Sequence, residues 1–210
     1  MSERSDDLGR VPAAPQTAPQ PATTSGPALL TAALDGVALV ERFAERITGN
    51  RTTVHHTTAY ELPAILSSII DDHAHRRVVV PMALDDTWLT QLHDRMQVCS
   101  DIARFSDTEL ETFDVVITGA AAAIAESGTI VLDHRRDQGR RALTLVPPHH
   151  LCVLRTDQIV STEPEALARL DPSQPVSFVS GPSPAPEVER GRFGMARGPR
   201  ALDVVVLDAS

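Results

Sequence analysis

Residues 114–132, DVVITGAAAAIAESGTIVL, limit what this chain can fold into more than any other stretch. Two β-branched runs, Val115-Val116-Ile117 and Ile130-Val131-Leu132, are too short for helices, so they read as two buried strands. Between them almost nothing is bulky. Small side chains at this density let a neighbour approach the backbone, and that neighbour is either a bound ligand or another element of the chain. The stretch carries groups that suit a ligand: hydroxyls on Thr118, Ser127 and Thr129, a carboxylate on Glu126, and permissive dihedrals at Gly119 and Gly128.

The flanking segments set the fold class. Leu30, Leu34, Val37, Val40, Ala44 and Ile47 recur at three- and four-residue steps, which predicts an amphipathic helix ended by Gly49-Asn50. Leu62, Ile65, Leu66, Ile69 and Ile70 predict a second helix with Pro63 in its first turn. Asp85 or Asp86 caps a third, with Trp88, Leu89 and Leu92 inward. Thr162-Glu163-Pro164-Glu165 reads as a capping box opening a fourth, with Leu167 and Leu170 as its apolar face. Further strands are predicted at 52–55, 78–80, 96–99, 143–146, 151–154, 176–179 and 204–207. Strands that alternate with helices and are apolar on both faces mean an α/β fold, a largely parallel sheet covered by helices on both faces. Residues 1–27, spaced with prolines, have too little apolar surface to offset their ordering entropy and are expected to form a disordered tail. A single domain is expected over 28–210.

Composition removes several functions. A net charge of −9 argues against a general nucleic-acid binder. All 19 basic residues are arginine, which excludes a Schiff-base lysine and a Walker A lysine. Two cysteines, Cys99 and Cys152, do not supply the roughly four thiolates of an iron–sulfur cluster, so no cofactor is expected in this chain. There is no Gly-x-Gly-x-x-Gly fingerprint. No apolar run approaches the roughly 20 residues of a membrane span, and the N-terminus lacks an apolar signal core, so a cytoplasmic protein is expected.

In open α/β sheets ligands sit beyond the carboxyl ends of the strands. Three segments fit that rule here: Thr118-Gly119 with the small-residue stretch after it, Pro147-Pro148-His149, and Ser180-Gly181-Pro182-Ser183. They are expected to converge on one cleft. Ser183 with Pro184 reads as a helix start, whose free N–H groups attract anions. Arg190, Arg192, Arg197 and Arg200 lie downstream and suit a carboxylate or phosphate, or form a solvated face. Glu126 is the candidate catalytic carboxylate, or else a structural acceptor for nearby backbone N–H groups. His55-His56, His73-x-His75 and His149-His150 have no metal-site spacing, and adjacent histidines in a strand point to opposite faces, so no metal is expected.

Residues 114–132 resemble the signature of the LUD domain, the lactate utilisation protein C family: a strand, Thr, a small-residue segment, Ala-Glu-Thr/Ser-Gly-Thr, and a second strand. The resemblance extends through Pro147-Pro148-His149 and residues 176–183, over roughly 30–207. It departs at Pro184 and Ala185, where relatives carry Arg-Thr, and at Met195-Ala196-Arg197-Gly198-Pro199, where they often read Gly-Val-His-Gly-Pro. The resemblance implies a fold related to ribose-5-phosphate isomerases, glucosamine-6-phosphate deaminases and CoA transferases. It also implies a part in oxidising L-lactate to pyruvate with iron–sulfur partner proteins. With no cluster ligands in the chain, an accessory or substrate-binding subunit is the expectation. The alternatives are a stand-alone enzyme of that fold acting on a small anionic metabolite, and a metabolite-sensing regulatory module.

Overall fold

The computed structural model describes residues 36–183 and 198–208. Expectations that fall on residues 1–35, on a helix start at Pro184, and on Arg190, Arg192 and Arg197 lie outside the described residues.

Six strands form the main sheet: β1 (Thr53–Thr57), β2 (Arg77–Val80), β3 (Gln97–Ser100), β4 (Val115–Thr118), β7 (His149–Arg155) and β10 (Ala201–Leu207). Their order is β1-β10-β7-β4-β2-β3, and every pairing is parallel. Parallel strands need covered faces, which is why β2, β4 and β10 read as continuous apolar runs. Alternate side chains divide between the two faces. Val115, Ile117, Leu151, Val153 and Val205 pack with α2 (Leu62–Asp72) and a single 3-10 turn, Asp86–Leu89. Cys152, Leu154, Val204 and Val206 pack on Phe43 and Ile47 of α1 (Gly36–Thr48). Val79 and Val116 meet Leu110 of α3 (Asp107–Leu110) and Leu143 of α4 (Arg141–Leu145). Burying each such side chain contributes roughly 1.5–3 kcal/mol.

The second face is shared with a smaller sheet. It holds β5 (Ala122–Ile124), β6 (Thr129–Leu132), β8 (Ile159–Val160) and β9 (Ser177–Val179), in the order β8-β5-β6-β9. The alanine run therefore continues into a strand, antiparallel to β6 in a hairpin with its turn at 125–128. Ala123 and Ile130 face α1, while Ala122, Ile124 and Val131 face Ala166 of α5 (Glu163–Ala168). Alanines let the two sheets and α1 close up; a larger residue at 123 would overpack them.

Two local expectations are corrected. Residues 143–146, expected as a strand, lie in α4 and its cap. A short apolar run before Pro147-Pro148 fits either element by pattern. Here the adjacent Leu143 and Thr144 are buried rather than alternate residues, and the Thr144 hydroxyl donates to the Arg141 carbonyl at 3.1 Å, which suits one helical turn. The capping box at Thr162 does not close. The Thr162 hydroxyl donates to Glu165 Oε1 at 3.1 Å, and Glu165 Oε2 accepts from the Ser161 amide at 3.1 Å. On α5 Ala166 is buried and Leu167 exposed.

Candidate functional site

The three segments expected in one cleft do not all share an edge of the main sheet. Thr118 ends β4, but His149 starts β7, and the register pairs Thr118 with Cys152 and His149 with Val115. Three residues at about 3.3 Å each put them about 10 Å apart along the strands. The strand expected before His149 is α4, so this histidine stands at the amino edge.

Two of the segments do meet at that amino edge. The Pro148 carbonyl accepts from the Arg200 amide at 2.7 Å, and the Ser183 amide donates to the Pro199 carbonyl at 2.7 Å. The small-residue hairpin joins them: Ser127 Oγ donates to Thr129 Oγ1, which bonds Ser180 Oγ, each at 2.8 Å. Pairing of β6 with β9 brings these hydroxyls together. Beside them lies a cavity of about 440 Å³ lined by Arg141 and Thr144 of α4, by Ser180, Gly181 and Ser183, and by Gly198. One guanidinium and a row of hydroxyls suit a small carboxylate.

Other expected ligand residues have different surroundings. Glu126 sits exposed in the hairpin turn; its amide donates to the Ser161 carbonyl at 3.2 Å, and among the described residues its carboxylate takes no backbone N–H. Among the described residues nothing shows Glu126 as a structural acceptor. Glu126→Gln is expected to leave the thermal midpoint unchanged in calorimetry, so any loss of function in that variant reports on the charge itself. Thr118 is fully buried: its hydroxyl donates to the Gly119 carbonyl at 2.9 Å and lies 2.8 Å from His150 Nε2. His150 is equally buried; burial first, and then neighbouring His149, push its imidazole down to about 3. Burial, outweighing a Thr118 hydrogen bond, pushes the Cys152 thiol up to about 12, so no reactive thiolate forms there. A Cβ at Gly119 would stand 2.9 Å from Asp137 Oδ2.

The carboxyl edge carries a second cleft, of about 300 Å³. Ala120 and Ala121 line it with Arg135, Asp137, Arg155, Asp157, Gln158 and Arg169. The loop over residues 133–140 straps this edge. The Gly119 amide donates to the Asp137 carbonyl at 3.1 Å and the Ala83 amide to the Arg136 carbonyl at 3.3 Å. Arg140 grips buried Asp101 through Nε at 2.7 Å and Nη2 at 3.2 Å, and also donates to the Phe105 carbonyl. Arg135 Nε lies 2.6 Å from Asp133 Oδ2, an ion pair without hydrogen-bond alignment. Burial raises the Asp137 carboxyl above its ordinary range.

Around His149 the fold assembles a polar cluster that sequence spacing did not predict. His149 Nε2 bonds Asp203 Oδ2 at 2.7 Å, and Asp203 Oδ1 bonds His55 Nε2 at 3.0 Å. Burial alone would raise the Asp203 carboxyl, but the bonds from His149 and His55 hold it well below the usual carboxylate range. On its other side His149 Nδ1 meets His75 Nε2 at 2.9 Å. Burial first, then His149, lowers the His75 imidazole.

The LUD domain family model matches residues 40–207. The chain belongs to the LUD domain family. It is 39% identical to Lactate utilization protein C of Deinococcus radiodurans over 84% of this chain and 82% of that one. It is 27% identical to Lactate utilization protein C of Halalkalibacterium halodurans, covering 81% and 80%. A crystal structure of a DUF162 family protein from Deinococcus radiodurans superposes with a TM-score of 0.70 at 37% identity, over 83% of this chain and 99% of that one. In this LUD domain the signature stretch is the β4–β6 segment, and its Ser127 and Thr129 hydroxyls connect to Ser180. Arg141, which lines the cavity, belongs to the run Arg135-Arg136…Arg140-Arg141 and not to the arginines after residue 190. Its signal was available: four guanidinium groups in seven residues of an acidic chain.

Proposed function

We propose that this LUD-domain chain takes part in oxidising L-lactate to pyruvate as an accessory or substrate-binding subunit. It holds a small anionic metabolite in the amino-edge cavity, and the two electrons pass to centres in iron–sulfur partner proteins. The reading is carried by the 39% identity to a protein named Lactate utilization protein C, spread over more than four-fifths of both chains. The cavity supports it. Among the described residues Arg141 offers the one guanidinium, Ser180 and Ser183 stand beside it, and Ser127 and Thr129 extend the hydroxyl row. Its volume of about 440 Å³ is within the range of small-molecule sites and is ample for a three-carbon hydroxy acid. Glu126 and Arg197 belong to the proposal as groups flanking the same segments. We place the protein in the cytoplasm; among the described residues no helix is long and apolar enough to cross a membrane.

Isothermal titration calorimetry with L-lactate tests the cavity. Arg141 is exposed, so Arg141→Ala is expected to keep the thermal midpoint. Losing a charge-assisted bond of about 1.5–3 kcal/mol is expected to weaken binding at least tenfold. Equal affinity in the variant would remove the cavity from the account.

One observation favours a second reading, a stand-alone enzyme of the isomerase and CoA-transferase kind. Asp137, raised by burial, stands among Arg135, Arg155 and Arg169 at the carboxyl edge, which suits proton transfer on an anion. Turnover of CoA esters or sugar phosphates by the purified chain, lost in Asp137→Asn, would select it.

A further inference from the structure

We propose that His73, His75 and His149 form a binding site for a divalent transition-metal ion, of which zinc is the representative case. His73 follows α2, His75 precedes β2, and His149 opens β7. The parallel register Val78–Val115–His149 carries them to one place at the amino edge of the sheet. One donor nitrogen from each lies within 4.8 Å of the other two.

The ring spacings fit a shared ion once the exposed His73 ring, stacked at 18° on His75, turns its edge toward the other two. With a metal–nitrogen bond of about 2.0–2.1 Å, an imidazole centroid lies about 3.2 Å from the metal, and tetrahedral directions separate two centroids by about 5 Å. The observed centroid separations are 5.4 Å for His73–His75, 4.6 Å for His73–His149 and 5.1 Å for His75–His149. Tetrahedral nitrogens stand about 3.3–3.4 Å apart. His75 and His149 are slightly inside that at 2.9 Å. The wider spacings close by a small swing of His73, which is exposed.

The surrounding bonds turn the right nitrogens toward one another. A ligating imidazole usually donates its other N–H to a carboxylate or carbonyl, which fixes the tautomer. His149 Nε2 is committed to Asp203 at 2.7 Å, so its Nδ1 lone pair faces His75. His73 Nδ1 is committed to the Ile69 carbonyl at 2.9 Å, which leaves Nε2 as its lone-pair nitrogen. Without the ion, His75 Nε2–H donates to His149 Nδ1. With it, His75 carries its proton on Nδ1 and the ion takes the shared position, so no net proton is released. Three neutral imidazoles suit zinc, copper or nickel rather than magnesium or calcium. The exposure of His73 leaves a fourth position open to water or an anion, as in three-histidine zinc centres.

The test uses the full chain, stripped with chelator, then titrated with Zn²⁺ by calorimetry and with Co²⁺ by visible absorption. The expected result is one equivalent bound, with the intense visible band of four- or five-coordinate cobalt. His73→Ala, at an exposed position, is expected to keep the thermal midpoint and weaken Zn²⁺ binding at least tenfold. Asp203→Asn is expected to weaken it about 10- to 100-fold through His149. Absence of binding at micromolar Zn²⁺, or the same affinity in wild type and His73→Ala, would overturn the site. His73→Ala decides the case even if Asp203→Asn fails to fold.

Discussion

Gly128→Val is expected to destabilise the protein by about 2–5 kcal/mol, taken as the sum of two costs. Gly128 lies at φ +65°, and a Cβ there would stand 2.5 Å from the Ile47 amide nitrogen and 2.7 Å from the Arg46 carbonyl carbon. The left-handed backbone costs a branched residue about 1–2 kcal/mol. The clash adds about 1–3 kcal/mol, because the obstacle is helix backbone rather than a side chain that can rotate away. At about 2–4 °C per kcal/mol for a chain of this size, the thermal midpoint should fall by about 4–20 °C. A midpoint unchanged in scanning calorimetry would mean that α1 does not press on the hairpin turn.

Arg140→Ala is expected to cost about 3 kcal/mol, the scale of breaking a buried ion pair by removing one partner. Asp101 is buried and keeps the Phe105 amide at 2.8 Å, but it would lose both guanidinium contacts. The exposure of Arg140 is 31%, so solvent recovers part of the charge and the cost falls at the low end of that scale. Arg140→Lys is expected to recover less than half of the loss, since an ammonium cannot reproduce the two-pronged grip together with the bond to the Phe105 carbonyl. Chemical denaturation of the two variants checks this. Full recovery in the lysine variant would show that charge alone holds the strap.

The sheet was legible because burial on both faces leaves a local trace. Val78-Val79-Val80, Val115-Val116-Ile117 and Val204-Val205-Val206 have no polar face to alternate, and each became an interior parallel strand. The run at 143–146 carries the same trace but buries one side as a helical turn, and a four-residue window does not contain that difference. The small-residue stretch was legible as a place of close approach, though not by what. At Gly128 the neighbour is α1 and at Gly119 it is Asp137; outside that stretch, at Gly181, it is Asn50, whose carbonyl oxygen would be 2.9 Å from a Cβ. All three approaches come from the chain itself. The hydroxyl row from Ser127 to Ser180 and the three-histidine cluster span 53 and 76 residues of sequence (127 to 180, 73 to 149). Strand register creates both, and spacing along the chain does not encode it.

Growth on L-lactate as sole carbon source tests the central claim most directly. A strain lacking this gene is expected to fail on L-lactate while growing on pyruvate. The full-length chain should restore growth, and Arg141→Ala, produced at the same level, should restore it poorly. Undiminished growth of the deletion strain on L-lactate would contradict a role in lactate utilisation. Full rescue by Arg141→Ala would contradict the amino-edge cavity as the place where that role is carried out.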